Sequence, residues 1–201
     1  MDDLYGIVIV PSGLQSIDLG LPSGTKWANM NVGATSPEKF GSHFAWGELC
    51  EKDDYSWETY AYYEKSTGLC SDLGVCISGT IYDVAHMKWD GAWKMPSKEQ
   101  VEELLQYCES MHYSLKGVEG CTFKGPNGNM IFLPAAGDLM GKGKGTRGNY
   151  GYYWTGTPNI LPRRAYDNYG AYGLDLWKFN VACNINNRNL GCTIRPVEIV
   201  Y

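Results

Sequence analysis

GYYWTGTPNILPRRAYDNYGAYGLDLWKFNVACNINNRNLGCTIRPV, residues 151–197, decides how the rest of the chain is read. Two regular pieces flank an irregular middle. GYYWTGTP (151–158) is aromatic and closes on proline, which predicts a buried strand ending in a turn. CTIRPV (192–197) alternates small, apolar and charged residues and predicts a final strand. The middle is rich in Tyr, Asn, Arg and Trp. Each of these carries a polar group that needs a partner when buried, so a core would not select the mixture. The middle therefore reads as surface, and the rest of the chain as a frame that displays it.

The frame has local signals of its own. Ser97 and Gln100 form a capping-box pattern, and Val101, Leu104, Leu105 and Cys108 follow at i, i+3, i+4 and i+7, which predicts an amphipathic helix. Residues 118–123 and 130–134 flank Gly125-Pro126-Asn127-Gly128, the strongest short hairpin signal in the chain. Ser36-Pro37-Glu38 predicts a short helix start that Gly41 would end. His43–Glu48 reads as an aromatic strand-like segment. Residues 49–79 read as a long irregular excursion, and residues 141–151 as a flexible Gly/Lys loop that lacks the phosphate-loop pattern. Residues 1–15 read as a leader or tail before one domain, 16–201.

Composition narrows the function classes. The 201 residues are 44% hydrophobic and 13% aromatic, with 15 Tyr and 7 Trp, enough for a sizeable core. The net charge of −5 argues against a nucleic-acid partner, which calls for a basic field. No apolar run is long enough to span a bilayer, so membrane insertion is not expected, and the N-terminus does not read as a signal peptide. Seven cysteines include no CxxC, so zinc spacing is absent; Cys70–Cys76 and Cys183–Cys192 pairings stay open beside mostly buried thiols.

Several motifs in order carry a resemblance over residues 16–197: DLGLPSGTKWANMNVGA, SPEKFGSHFAWGE, YDVAHMKWDGAWKMPSKEQVEEL, GPNGNMIFLPAAG, GYYWTGTP and GCTIRPV. Together they resemble the Fibrobacter succinogenes major paralogous domain group, which is found in gut Bacteroidetes and their phages. The resemblance implies an α+β domain of C-type lectin-like fold, in the formylglycine-generating branch, with mixed, mostly antiparallel short strands and about two helices. It also implies a location outside the cell, on a cell surface or a phage particle. Some members are variable proteins of diversity-generating retroelements, in which codons near the C-terminus are rewritten within a fixed frame. On that template AYGLDL (171–176) is a strand, and NINNRNLGCTIRPV an Asn-rich loop before the last strand. Gly173, Asp175, Cys183, Ile185, Leu190 and Cys192 are then candidate diversified positions.

The residues support a binding surface independently. Arg163, Arg164, Tyr166, Tyr169, Tyr172, Trp177 and Arg188 surround the Asn run, with Asp167 and Lys178 as charged neighbours. Tyr and Asn with Trp and Arg anchors is the composition of antibody paratopes, because rigid amphipathic rings give contact area at low entropic cost. Asn184 and Asn186 join the candidate set; the Asn run taken alone also fits a solvated loop. The expected ligand is a protein or a glycan, and no cofactor, metal or catalytic residue is expected. Two alternatives remain: a fixed structural or interaction module of a surface assembly, and an oxidoreductase using Cys183 and Cys192. No hydrolase nucleophile motif occurs, and Trp89-Asp90-Gly91 is a faint echo of a calcium-lectin motif.

Overall fold

The computed structural model describes residues 10–89, 92–143, 145–160, 169–178 and 180–198. Among these, mixed and mostly antiparallel strands form several sheets with two α-helices, an α+β architecture. In chain order the elements are β1 (Ser16–Asp18), β2 (Lys26–Ala28), β3 (Tyr63–Glu64), β4 (Leu69–Cys70), α1 (Val84–Lys88), β5 (Trp93–Lys94), α2 (Lys98–Tyr107), β6 (Glu109–Leu115), β7 (Val118–Lys124), β8 (Met130–Pro134), β9 (Gly151–Pro158), β10 (Gly170–Trp177), β11 (Asn180–Asn187) and β12 (Val197–Glu198). The sheets run β1-β2-β12-β5, β6-β7-β8 and β11-β10-β9, with β3-β4 a separate pair.

Strand β9 is the wall between two cores. Successive side chains of a strand point to opposite faces, and GYYWTGTP uses both. Trp154 enters one cluster with Phe44, Trp46, Met30 and Ile194. Tyr153 enters the other with Leu104, Phe123, Leu174 and Leu176. Each buried indole needs an acceptor for its N–H, and the two tryptophans find theirs reciprocally. Trp154 Nε1 donates to the Phe44 carbonyl at 2.9 Å, and Trp46 Nε1 to the Thr155 carbonyl at 2.8 Å. Gly156 sits where backbones meet: a Cβ there would lie 2.6 Å from the Ser78 amide nitrogen.

Helix α2 forms where its local chemistry predicts. The Ser97 side chain accepts from the Gln100 amide, and the Gln100 side chain accepts from the Ser97 amide. Val101 and Leu104 are fully buried against β9, β10 and β11, while Leu105 and Cys108 only border the core. The β7–β8 hairpin also stands as predicted, its turn closed by the Gly125 amide on the Asn129 carbonyl and the Gly128 amide on the Gly125 carbonyl.

A second device joins the layers. Arg195, within the CTIRPV segment, is 1% exposed. Its Nε donates to Asn31 Oδ1 at 2.8 Å, Nη1 to the Ala28 carbonyl at 3.1 Å and Nη2 to the Phe132 carbonyl at 2.9 Å. One guanidinium thus links the end of β2, the segment after it and β8. Burial pulls its pKa down to about 10, which leaves it cationic at neutral pH.

Four expectations are corrected. Ser36-Pro37-Glu38 makes a turn rather than a helix, with the Lys39 amide on the Ser36 carbonyl. Asn31 Nδ2 captures the Phe40 carbonyl, and Gly41 adopts φ 76° beneath the Val32 carbonyl, so the chain reverses before a second turn can form. The Asn-rich stretch is a strand up to Asn187 and a turn only at Arg188-Asn189-Leu190: β11 pairs with β10 through a continuous register from Gly170↔Asn187 to Trp177↔Asn180. The last strand is shorter than CTIRPV; Cys192 makes only an isolated bridge to Phe44, and regular pairing begins at Val197. That bridge is also the only sheet pairing within His43–Glu48 among the described residues. Residues 1–9 of the expected leader lie outside the described residues, whereas Gln15 is tied to Asn29 by a 2.9 Å hydrogen bond.

Candidate functional site

The β10–β11 hairpin sorts the candidate residues by strand parity. On β10, Leu174 and Leu176 enter the core with α2, and Tyr172 lies on the same side with the Lys98 ammonium 4.5 Å from its ring. Their cross-strand partners Val181, Cys183 and Ile185 share that side. The opposite side carries Gly173, Asp175 and Trp177 from β10, with Asn180, Ala182, Asn184 and Asn186 from β11. Tyr152 of β9 stands beside Asp175 there.

Asp175 organises this second face. Only 3% of the residue is exposed. Asn184 Nδ2 donates to one carboxylate oxygen at 3.0 Å, and Asn186 Nδ2 donates to the other at 2.8 Å. Burial raises the Asp175 pKa, the two amide bonds oppose that shift, and the Asp138 charge adds to it. Both asparagines are thereby fixed with their carbonyl oxygens unused among the described residues. Trp177 closes the row at the tip of β10, 36% exposed. Beside it, a groove of about 300 Å³ separates the hairpin tip from the β6–β7 pair, lined by Met111, His112, Trp177, Lys178 and Asn180 among others. Burial raises the pKa of the Tyr152 phenol, opposed by a side-chain hydrogen bond with Trp177.

The raised Asp175 pKa has a measurable consequence. The folded value lies above that of an unfolded aspartate, about 3.9. This group's contribution to stability is therefore fully present below that value and is lost as pH rises through the folded pKa. Urea denaturation of the wild type and Asp175→Asn over a pH series checks this. Wild type is expected to lose stability relative to the variant as pH rises above about 4. The opposite slope would mean that the two amide bonds outweigh burial.

Other candidates serve the frame. Arg188 is 2% exposed: its Nε donates to the Gly170 carbonyl at 3.0 Å, Nη1 to the Ser71 carbonyl at 3.3 Å, and its guanidinium stacks 4.4 Å from the Trp46 ring centroid. Tyr169 donates its hydroxyl to the Gly68 carbonyl and packs edge-on against Trp57 at 5.3 Å, which fastens the start of β10 to the 49–79 excursion. Leu190 borders the first core, and Cys192 is wholly within it at 0% exposure. Gly173 is buried, and a Cβ there would lie 2.9 Å from the Tyr153 carbonyl. Lys178 is exposed beside Trp177. Arg163, Arg164, Tyr166 and Asp167 lie outside the described residues, as does Asp90-Gly91 of the calcium-motif echo.

Cys183 and Cys192 are not poised for thiol chemistry. Cys76, Cys183 and Cys192 are thiols, so neither of the pairings left open is made. Burial pushes the Cys183 thiol up to about 11 and the Cys192 thiol well above its ordinary range, whereas a reactive cysteine needs the thiolate. His43 is structural: its ring bonds the Ala136 carbonyl through Nε2 at 3.0 Å and faces Arg147 Nη2 through Nδ1 at 3.2 Å. Nε2–H as donor and Nδ1 as acceptor satisfies both, and burial lowers the pKa toward this neutral form. No group of three or more His, Cys, Asp or Glu suited to a metal occurs among the described residues. Among them no helix is long and apolar enough to cross a membrane.

Sequence reasoning missed Tyr152, Asn180 and the groove. Strand alternation in Asn-Val-Ala-Cys-Asn-Ile-Asn (180–186) was the available signal, since Val181, Cys183 and Ile185 recur at period two. Comparison with known proteins finds no matching family model, no matching curated protein and no matching solved structure.

Proposed function

We propose that this chain is a ligand-binding module, a receptor-recognition or adhesin domain of C-type lectin-like fold, acting outside the cell on a cell surface or phage particle. The binding face is the side of β10–β11 that carries Trp177, Asp175, Asn184 and Asn186, with Tyr152 and the adjoining groove. The fixed pair of asparagine amides carries this reading. A carboxylate that immobilises both Nδ2 groups leaves two carbonyl oxygens ready to accept from a ligand, at no further ordering cost. Trp177 supplies the aromatic contact area that recognition sites favour. The protonated Cys183 and Cys192 thiols favour binding over thiol chemistry.

The motif resemblance adds that the hairpin belongs to the region rewritten in variable proteins of diversity-generating retroelements. Of the template positions, Ile185 is exposed on the side away from Trp177, Asp175 acts through the two asparagines it holds, and Cys192 has no surface. The ligand is a protein or a glycan; aromatic rings and amides suit both.

The test is a screen of the whole chain against glycan and protein arrays, repeated with Trp177→Ala. Hits are expected to weaken by roughly thirtyfold or more, the level of an interface hot spot, with unfolding by denaturant little changed. A variant that binds every hit as wild type does would remove this face from recognition.

A further inference from the structure

Strand β11 lies at the end of its sheet, and the direction of its free backbone groups can be read from the neighbours of β10. The Gly170 carbonyl turns to the Asn159 amide at 3.0 Å, and the Tyr172 carbonyl to the Thr155 hydroxyl at 2.7 Å, both on the β9 side. The Tyr169 carbonyl instead accepts the Arg188 amide at 2.8 Å, on the β11 side. Even-numbered residues of β10 therefore face β9 and odd-numbered ones face β11. The register joins those odd residues to Asn180, Ala182, Asn184 and Asn186. The backbone N–H and C=O groups of Val181, Cys183, Ile185 and Asn187 consequently point away from the sheet. The Asn187 carbonyl turns to the Leu190 amide at 3.0 Å, and the outward groups of Val181, Cys183 and Ile185 have no backbone partner among the described residues.

Proteins blunt such edges with lysine, proline, a bulge or a very short strand. Here the edge runs eight residues, NVACNINN, with no charge and no proline. The register irregularity of this sheet lies between β9 and β10, not between β10 and β11. None of the eight residues is fully buried, and Ile185 is 50% exposed.

The alternation of this strand also fits itself. We propose that the β11 edge pairs antiparallel with the β11 edge of a second copy, about a two-fold axis through Cys183. That register sets Val181 opposite Ile185 of the partner subunit, apolar on apolar, on the side shared with α2. On the other side Asn180 meets Asn186 of the partner subunit, and Ala182 meets Asn184 of the partner subunit. The outward groups of Val181, Cys183 and Ile185 become the hydrogen-bonded pairs of the new ladder. Although each chain carries a net charge of −5, the paired segment brings no like charges together. Trp177 lies outside the paired segment, whereas Asn180 and Val181 of the groove and Asn184 and Asn186 of the binding face lie within it, so mass rather than ligand binding reads the pairing.

Light scattering on the full chain, over micromolar to millimolar concentrations, tests the proposal. The mass is expected to rise from one chain toward two, with amide exchange at Val181, Cys183 and Ile185 slowing in step. Ile185→Pro removes one outward N–H and no bond to β10. It is expected to stay folded with its mass held at one chain, while Ile185→Thr still pairs. If the proline variant misfolds, Ile185→Lys places an edge lysine at the same contact and is expected to abolish pairing likewise. A single-chain mass at every concentration, or a dimer that survives both Ile185→Pro and Ile185→Lys, overturns the proposal.

Discussion

Arg195→Ala is expected to lower the unfolding free energy by about 3–5 kcal/mol, the loss typical of leaving several buried acceptors without a donor and opening a cavity. The side chain is 1% exposed and donates to Asn31 Oδ1 and to the Ala28 and Phe132 carbonyls. Alanine leaves all three acceptors buried without a donor and opens a cavity beside Tyr153. No carboxylate lies within ion-pair distance of the guanidinium among the described residues. The cation is satisfied by neutral oxygens alone, so its burial is costly and its geometry has to be right. Arg195→Lys keeps the charge but not the planar fork, and is expected to recover only part of the loss. Thermal melts by circular dichroism check both variants, with alanine expected about 10 °C below wild type for a chain of this size. Equal melting of wild type and Arg195→Ala would mean that the acceptors find water or one another, and that the joint between β2 and β8 is held by apolar packing alone.

What was legible in the sequence follows from how local the determining physics is. The cap of α2 lies within four residues, and the β7–β8 turn within five, so both could be read directly. Strand β9 was legible because a dense aromatic run leaves few alternatives. β6 was not: six of its seven residues are exposed, so burial imposes no period on them. Its one signal is the turn that follows, where Lys116 and Gly117 take φ 51° and 81°. At β11 the sequence predicts a loop, because asparagine is a poor strand former. The structure shows what overrides that preference. Asp175 on the neighbouring strand holds two of the asparagines by their amides, and Val181 and Cys183 border the core. Propensity counts neither effect, because both come from residues brought near by the fold. The candidate site was legible as a region, but not by orientation. Composition places Trp177, Asp175, Arg188 and Cys192 in one stretch; only the pairing register and the packing separate a displayed ring from a buried guanidinium and a buried thiol.

Arg188 decides that separation by experiment. As a hot-spot arginine it would be removable without harm to the fold; in the structure it is 2% exposed and spans three elements. Its Nε holds the Gly170 carbonyl at the start of β10, its Nη1 reaches Ser71 after β4, and its plane lies over Trp46 in the first core. Burial lowers its pKa, the phenol of Tyr60 nearby opposes that shift, and arginine remains charged at any ordinary pH. Arg188→Ala therefore strips two carbonyls and one aromatic face of their partner, and is expected to cost about 3–4 kcal/mol of unfolding free energy. That corresponds to roughly 6–16 °C in Tm for about 200 residues. Arg188→Lys is expected to retain part of the stability, since one ammonium can reach one carbonyl but cannot stack as a plane. Amide exchange locates the damage: faster exchange is expected at the Gly170 end of the β10–β11 ladder, and little change at the Trp177 end. If Arg188→Ala melts with wild type and loses only ligand, the guanidinium belongs to the binding surface and the hairpin is anchored some other way. If it melts early while Trp177→Ala does not, the two residues divide as the geometry divides them, one fixing the strand and the other meeting the ligand.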